Sequence, residues 1–327
     1  MPVAAASDAA PGLDTPAPGG DAAVGTALTT ADALDPRDAQ RRRPPGKPWR
    51  VIADGQYRSL LVTDEDPAND RYLLYRLQGS YFPLSWLSVF ARVGLFQRFV
   101  ATEDESGFRM EDTVLGATAE QPIPLAPWGW QRTLLLSHSL RVYLPTSFAS
   151  SQQDLYFAGE GSTRAQLRIW GQLVAGVRGT VHYRFHEYAE QAGPGGGTLP
   201  RLVVSARPFV EYSPLSSERW GRLTLGADLY GDETVDYPSR DPATLGAATL
   251  PPGTLSASRL NGANSSDSFV TPHYGHDLYA VYTFPNRHVS VVLSLEQNGN
   301  VVRYGEPRLY FIHRDQTELA LQVSANY

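Results

Sequence analysis

Leu87-Ser88-Val89-Phe90-Ala91-Arg92-Val93-Gly94-Leu95-Phe96-Gln97-Arg98-Phe99 splits into two unlike faces when every second residue is taken. One face reads Leu87, Val89, Ala91, Val93, Leu95, Gln97, Phe99, and the other Ser88, Phe90, Arg92, Gly94, Phe96, Arg98. A period of two marks an extended strand, because successive side chains leave on opposite sides. The division recurs along the chain. Leu167, Ile169, Gly171, Leu173, Ala175 and Val177 oppose Gln166, Arg168, Trp170, Gln172 and Val174, which reads as one strand. Val181, Tyr183 and Phe185 oppose Thr180, His182, Arg184 and His186. Leu223, Leu225, Ala227 and Leu229 oppose Arg222, Thr224, Gly226, Asp228 and Tyr230; Val289, Val291, Leu293 and Leu295 oppose Ser290, Val292, Ser294 and Glu296.

Alternation alone does not say which face is inside. A soluble sandwich buries its apolar face, and a membrane barrel turns it outward to lipid. The apolar runs are about 9–11 residues long, the length that crosses a bilayer at a tilt. Aromatic residues also gather at the short turns: Tyr81, Phe82 and Trp86 around Pro83-Leu84-Ser85, Trp128 and Trp130 before Thr133, Tyr212 and Trp220 around 213–219, and Tyr282 and Phe284 before Pro285. The other connections are longer and polar. Short turns at one end, long loops at the other and an aromatic belt at the interface define a transmembrane barrel.

The ending carries a resemblance. Counting back from Tyr327, alternate residues are Ala325, Val323, Leu321 and Leu319. A terminal aromatic with apolar residues at alternating positions resembles the C-terminal signal of Gram-negative outer-membrane β-barrels, over residues 49–327. Most members end in Phe, so Tyr327 departs from the pattern. The resemblance implies outer-membrane lipid around the barrel and recognition of the last strand by barrel-insertion machinery. A second stretch is similar to barrels grouped with aromatic-degradation transporters. Leu144-Pro145-Thr146-Ser147 leaves a strand and follows Glu111-Asp112-Thr113-Val114-Leu115-Gly116. Ser147 stands where that family has Gly, and so does Glu111 before the Asp. This likeness implies passage of small hydrophobic or aromatic compounds.

Composition agrees with the barrel. Hydrophobic residues are 42% and charged residues 19%, as in a soluble protein, because only alternate barrel residues face lipid. No stretch stays apolar over the ~18 residues a membrane helix needs. Cysteine is absent, which excludes disulfides and thiolate chemistry. The net charge of −6 argues against nucleic acid as a partner. Met1 leads into Pro2-Val3-Ala4-Ala5-Ala6-Ser7 with neither a basic start nor an apolar core, so no signal peptide is read, and an exported protein would correspond to a mature form with an added Met. A cytoplasmic protein with a disordered start is the alternative.

The expected fold is therefore all-β: a transmembrane antiparallel up-and-down barrel of about twelve strands, with ten or fourteen as alternatives. The segments are 49–63, 71–82, 86–101, 108–120, 131–145, 164–177, 180–190, 200–212, 220–231, 273–284, 287–298 and 308–327. A turn at Arg314-Asp315-Gln316 would split the last one and change the count; otherwise His313 and Asp315 rise above the bilayer. Pro208 lies inside a strand pattern and predicts a bulge or a strand end there, since proline gives no ladder hydrogen bond. Residues 1–47, rich in Ala, Pro, Asp and Gly, read as a disordered periplasmic arm ending in Arg41-Arg42-Arg43-Pro44-Pro45-Gly46-Lys47. The arm is either a solvated linker or a segment that docks a partner or enters the lumen. Residues 48–327 form the barrel. The outer loops are 64–71, 103–107, 145–163, 191–199 and the longest, at about 232–272, which constricts the lumen, covers it or stays on the surface.

The inward face carries Arg58, Arg76, Arg92, Arg98, Arg141, Arg168, Arg184, Arg207 and Arg222, with Asp54, Asp112, Glu211, Asp228, Asp277 and Glu296 as acidic counterparts. Arg76, Arg92, Arg98, Arg141, Arg168, Arg184, Arg222, Asp228 and Glu296 are the candidate pore-lining residues of a passive channel or transporter for small solutes. The alternative is a closed, salt-bridged barrel that docks a periplasmic or outer-membrane protein. His182 and His186 share a face with Arg184, whose charge opposes a metal. His273 and His276 lie beside Asp277 where the longest loop re-enters. In Ser137-His138-Ser139, His138 points away from both serines, so the nucleophile–base contact of a lipase is absent locally. No catalytic residue, metal ligand or cofactor site is assigned.

Overall fold

The computed structural model describes residues 47–60, 71–99, 107–125, 132–147, 150–151, 154–187, 199–236, 270–285, 288–300, 302–303, 306–307, 311–312 and 317–327. The barrel strands are β1 (Trp49–Leu60), β2 (Tyr72–Leu84), β3 (Leu87–Arg98), β4 in two segments (Gly107–Met110 and Thr113–Pro124), β5 (Thr133–Leu144), β6 (Leu155–Trp170), β7 (Leu173–His186), β8 (Pro200–Ser217), β9 (Gly221–Asp236), β10 (Val270–Thr283), β11 (Val289–Asn300) and β12 (Thr317–Asn326). Both β4 segments pair with β3, so the ladder contains twelve wall strands, each antiparallel to its chain neighbours. β1 also pairs with β12, from Ile52↔Asn326 to Leu60↔Glu318, and this seam closes the ring. Tyr327 extends it: its amide donates to the Val51 carbonyl at 2.9 Å and its carbonyl accepts from the Val51 amide at 3.1 Å. Closure leaves no edge strand, which a wall facing lipid requires.

The faces sort as the alternation predicts. In β12, Leu319, Leu321 and Val323 are exposed, and Ala320, Gln322, Ser324 and Asn326 are buried. Polar side chains inside and apolar ones outside reverse the order of a soluble protein. Trp49, Tyr81, Trp86, Tyr212, Trp220 and Phe284 stand exposed near the short turns. Phe82 does not belong to this belt: it is buried on the inner face beneath the Arg50 guanidinium, 5.4 Å from its ring centre. Trp128 and Trp130 lie outside the described residues. A second belt, not foreseen in the sequence, lies toward the loop ends: Tyr75 meets Phe108 at 6.4 Å, and Phe157 stacks on Phe185 at 4.3 Å.

Four sequence readings are corrected. Residues 164–177 are not one strand, because Gly171 and Gln172 form the turn between β6 and β7, with Gly171 at φ 50° and Trp170 paired to Leu173. A two-residue turn keeps the period, so the alternation runs through it unchanged. For the same reason 145–163 is not all loop, since β6 begins at Leu155. Pro208 makes neither bulge nor strand end. It pairs with Val177 without a register shift, and β8 continues to Ser217. The last strand starts at Thr317, not at 308, and a short ladder joins Val302–Arg303 to Glu306–Pro307. β9 runs to Asp236 and β10 starts at Val270, so residues 237–269 of the longest loop lie outside the described residues, as do residues 1–46 of the N-terminal arm and His313 to Gln316.

Candidate functional site

The lumen is the site, and the cross-strand register decides which charges meet in it. In an antiparallel pair, directly opposed residues have Cβ atoms about 5 Å apart, close enough for side chains to interact. Arg141 opposes Glu160, which opposes His182. Glu160 accepts from the Arg141 guanidinium at 3.1 Å, from the Tyr143 hydroxyl at 2.8 Å and from His182 Nδ1 at 3.3 Å. Arg184 Nε donates to His182 Nε2 at 3.4 Å, so Nδ1 carries the ring proton. His182 thus has both nitrogens engaged, which removes it as a metal ligand.

A second pair depends on a bulge. Residues 111 and 112 interrupt β4 and turn the Glu111 carboxylate inward, where Arg76 holds it with two bonds of 2.8 and 2.9 Å. Such a fork-to-carboxylate contact is the strong form of ion pair. Gly94 makes it fit, since a Cβ there would lie 2.0 Å from Glu111 Oε2. Asp112, the other bulge residue, accepts from the Ser147 amide at 2.9 Å, and the Thr146 hydroxyl accepts from the Thr113 amide at 2.8 Å while donating to the Glu111 carbonyl at 3.0 Å. The two stretches of the second sequence resemblance are therefore one bonded unit at the loop end of β4 and β5.

Further charge clusters lie along the rest of the wall. Arg58 is fully buried and bridges Glu296 at 3.1 Å and Glu318 at 3.2 Å, tying β1 to β11 and β12 next to the seam. Arg164 donates to Glu211 at 3.2 Å, and the Tyr279 hydroxyl donates to the same oxygen at 3.0 Å. Asp228 opposes Asp277, and Asp277 opposes Glu296. Asp277 is 0% exposed, and neither carboxylate oxygen accepts a hydrogen bond among the described residues. Asp228 also has one such oxygen. Between Arg164, Arg178, Arg207, Glu211, Asp228 and Tyr279 lies a cavity of about 10 Å³, room for about one water.

Aromatic rings lie flat on this inner wall because glycines face them. Cβ atoms at Gly116, Gly176, Gly226 and Gly275 would collide with the rings of Phe90, Phe209, Tyr279 and Tyr230 at 2.0–2.5 Å. Cations cover two of those rings: Arg164 sits 4.1 Å over Phe209 and Arg207 4.2 Å over Tyr230.

The candidate residues fall as follows. Register puts Arg76, Arg92, Arg141, Arg168, Arg184, Arg222, Asp228 and Glu296 on the inner face. Arg168 is exposed at the turn end of β6, away from the buried clusters, and Arg222 donates to the Ser213 hydroxyl at 2.9 Å. Arg98 ends β3 opposite Tyr72, and its side chain lies outside the described residues. His273 and His276 point to opposite faces: His273 lies 3.9 Å from Asp232 inside, and His276 stacks on Phe311 outside at 4.3 Å, so the two share no ligand. Ser137 and Ser139 are buried inside, whereas His138 faces outward and meets the Thr163 hydroxyl at 3.0 Å. Sequence reasoning missed Glu111, Glu160 and Glu318 as lumen acids, although Glu160 and Glu318 sit at inward parity in their strands.

No protein-family model matches the chain, and no curated protein does. Among solved structures, an outer membrane channel from Pseudomonas putida F1 aligns with a TM-score of 0.53 at 9% identity, over 90% of this chain and 100% of that one. The translocator domain of the autotransporter NalP from Neisseria meningitidis aligns at 0.40 with 13% identity, over 94% and 97%. OprD from Pseudomonas aeruginosa aligns at 0.31 with 10% identity, over 88% and 97%. A closed ring, an apolar outer surface with aromatic belts and a charged interior give this chain the fold of the bacterial outer-membrane β-barrels.

Proposed function

We propose that the chain is a passive outer-membrane channel for small solutes, with selectivity set by its inward arginines and carboxylates. The observation that carries this reading is the orphaned carboxylate of Asp277. A buried charge without a protein partner is too costly to keep dry, so the carboxylate is either neutralised by a proton or met by water or a passing solute, and the channel reading takes the second. The unmatched carboxylate oxygens of Asp228 and Asp277 lie on β9 and β10 with arginines on the neighbouring wall, so a solute would meet both signs of charge in the lumen. Single-channel recording of the purified protein in a planar bilayer tests the reading. Steady conductance is expected, and Arg92→Gln with Arg184→Gln should lower chloride permeability relative to potassium. Persistent silence despite verified insertion would overturn it.

One observation favours a second reading, a closed barrel that binds a periplasmic or outer-membrane protein. Glu160 with its three donors, the Arg76–Glu111 fork and the Arg58 bridge fill wall space with paired side chains. A barrel of about twelve strands is narrow enough for long side chains to occupy much of it. On this reading the N-terminal arm or the outer loops make the contact. Deleting residues 1–47 would leave partner capture unchanged if the arm has no such role. On either reading the strand ending at Tyr327 is the segment offered to the insertion machinery.

A further inference from the structure

Asp228, Asp277 and Glu296 form a row across β9, β10 and β11, each directly opposed to the next. Like charges in such positions repel, and a sheet that keeps them needs a counter-charge. The row continues to Glu318, opposite Glu296 on β12. The nearby cations do not bond Asp277, although Arg164, Arg178 and Arg207 line the small cavity beside Asp228. Arg58 is held by Glu296 and Glu318, Arg164 by Glu211, and Arg207 lies over the Tyr230 ring. None of the three donates a hydrogen bond to Asp277, whose two oxygens stay unmatched at full burial. Among the described residues no group of three or more His, Cys, Asp or Glu is arranged to hold a metal ion, so a centre with three protein ligands does not fit. A smaller charge with loose geometric demands does.

We propose that the Asp228–Asp277–Glu296 row binds a small monovalent cation, either an alkali ion or the primary ammonium group of a solute. This deepens the channel reading and rests on its hydrated lumen. The cation would sit against Asp277, with Asp228 and Glu296 flanking it and Arg58 holding Glu296 in place. The row would then be the cation-binding stretch of the lumen wall.

The test is thermal unfolding of the intact protein in detergent at constant ionic strength, with potassium, methylammonium or tetrabutylammonium chloride as the probe salt. A ligand that binds only the folded state raises the midpoint, here by about 2–4 °C at saturating concentration. Potassium or methylammonium should raise it relative to tetrabutylammonium, which is too large to enter the row. The stronger of the two identifies the source of the charge. Asp277→Asn keeps the side-chain size and should abolish the difference, and Asp228→Asn should reduce it. An equal midpoint in all three salts, or a difference that survives Asp277→Asn, overturns the proposal; the first would mean that a proton neutralises the row. A silent barrel that shows the shift keeps this site and loses the channel, and a conducting barrel without the shift does the reverse.

Discussion

Glu160 and Asp277 are both buried carboxylates on the inner wall, yet their surroundings are opposite. Glu160, on β6, is met by a guanidinium, a phenol and an imidazole from β5 and β7. Asp277, on β10, is met by two further carboxylates from β9 and β11. The first is a structural brace, because it joins donors from two neighbouring strands in one cluster. The second is, on our proposal, a site, because its oxygens accept no hydrogen bond from the described residues. Inside one barrel, burial alone does not distinguish the two roles; the identity of the opposed residue does.

The comparison breaks first at Glu160. Glu160→Ala strips three donors of their acceptor and leaves Arg141 buried without that carboxylate, which should cost about 3–5 kcal/mol. Urea unfolding from lipid vesicles checks this, and a loss under about 1 kcal/mol would mean that water substitutes freely and the brace is not one.

Arg76→Ala comes next, since it strands Glu111 beside Gly94. A double-mutant cycle with Glu111→Ala should return a coupling of about 2 kcal/mol, within the usual range for contacting charges. Additive effects would show that the fork is an ion pair in geometry only.

Gly171→Ala should cost about 1–2 kcal/mol, because φ 50° strains any residue with a Cβ. The surroundings are open there, so the cost is conformational and not steric. An unchanged unfolding midpoint would place the β6–β7 turn elsewhere.

The smallest effect has the opposite sign. Asp277→Asn, measured in a salt that cannot enter the row, should leave stability unchanged or raise it by less than about 1 kcal/mol, since it relieves like-charge opposition. A loss as large as that of Glu160→Ala would make Asp277 a second brace and end the contrast.

Much of the barrel was legible before any coordinates. Leu87 to Phe99 sorts into its two faces by inspection, and the inward parity of Arg92, Arg184, Asp228 and Glu296 follows from neighbours two residues away. What misled was the same regularity. Ile169-Trp170-Gly171-Gln172-Leu173 keeps the alternation through a tight turn, so the end of β6 and the start of β7 read as one strand over 164–177, the rest of β6 as loop, and the rest of β7 as a separate strand over 180–190. Pro208 misled in the other direction: it signals a break, but losing one ladder hydrogen bond did not shift a strand that pairs along its length with β7.

By itself the sequence determined which side chains face inward and which face lipid, because strand geometry ties that choice to parity and parity is local. It also pointed to the closed class of the fold, since strand-length apolar runs, aromatics at the short turns and the terminal strand pattern favour a membrane barrel over a soluble sandwich, and a closed barrel satisfies every backbone group in lipid. Only the tertiary structure decided which inward charges oppose one another. Those pairings join residues far apart in the chain, such as Arg58 with Glu318 and Asp228 with Asp277, and they depend on register, where a shift of two residues would preserve every face and change every partner.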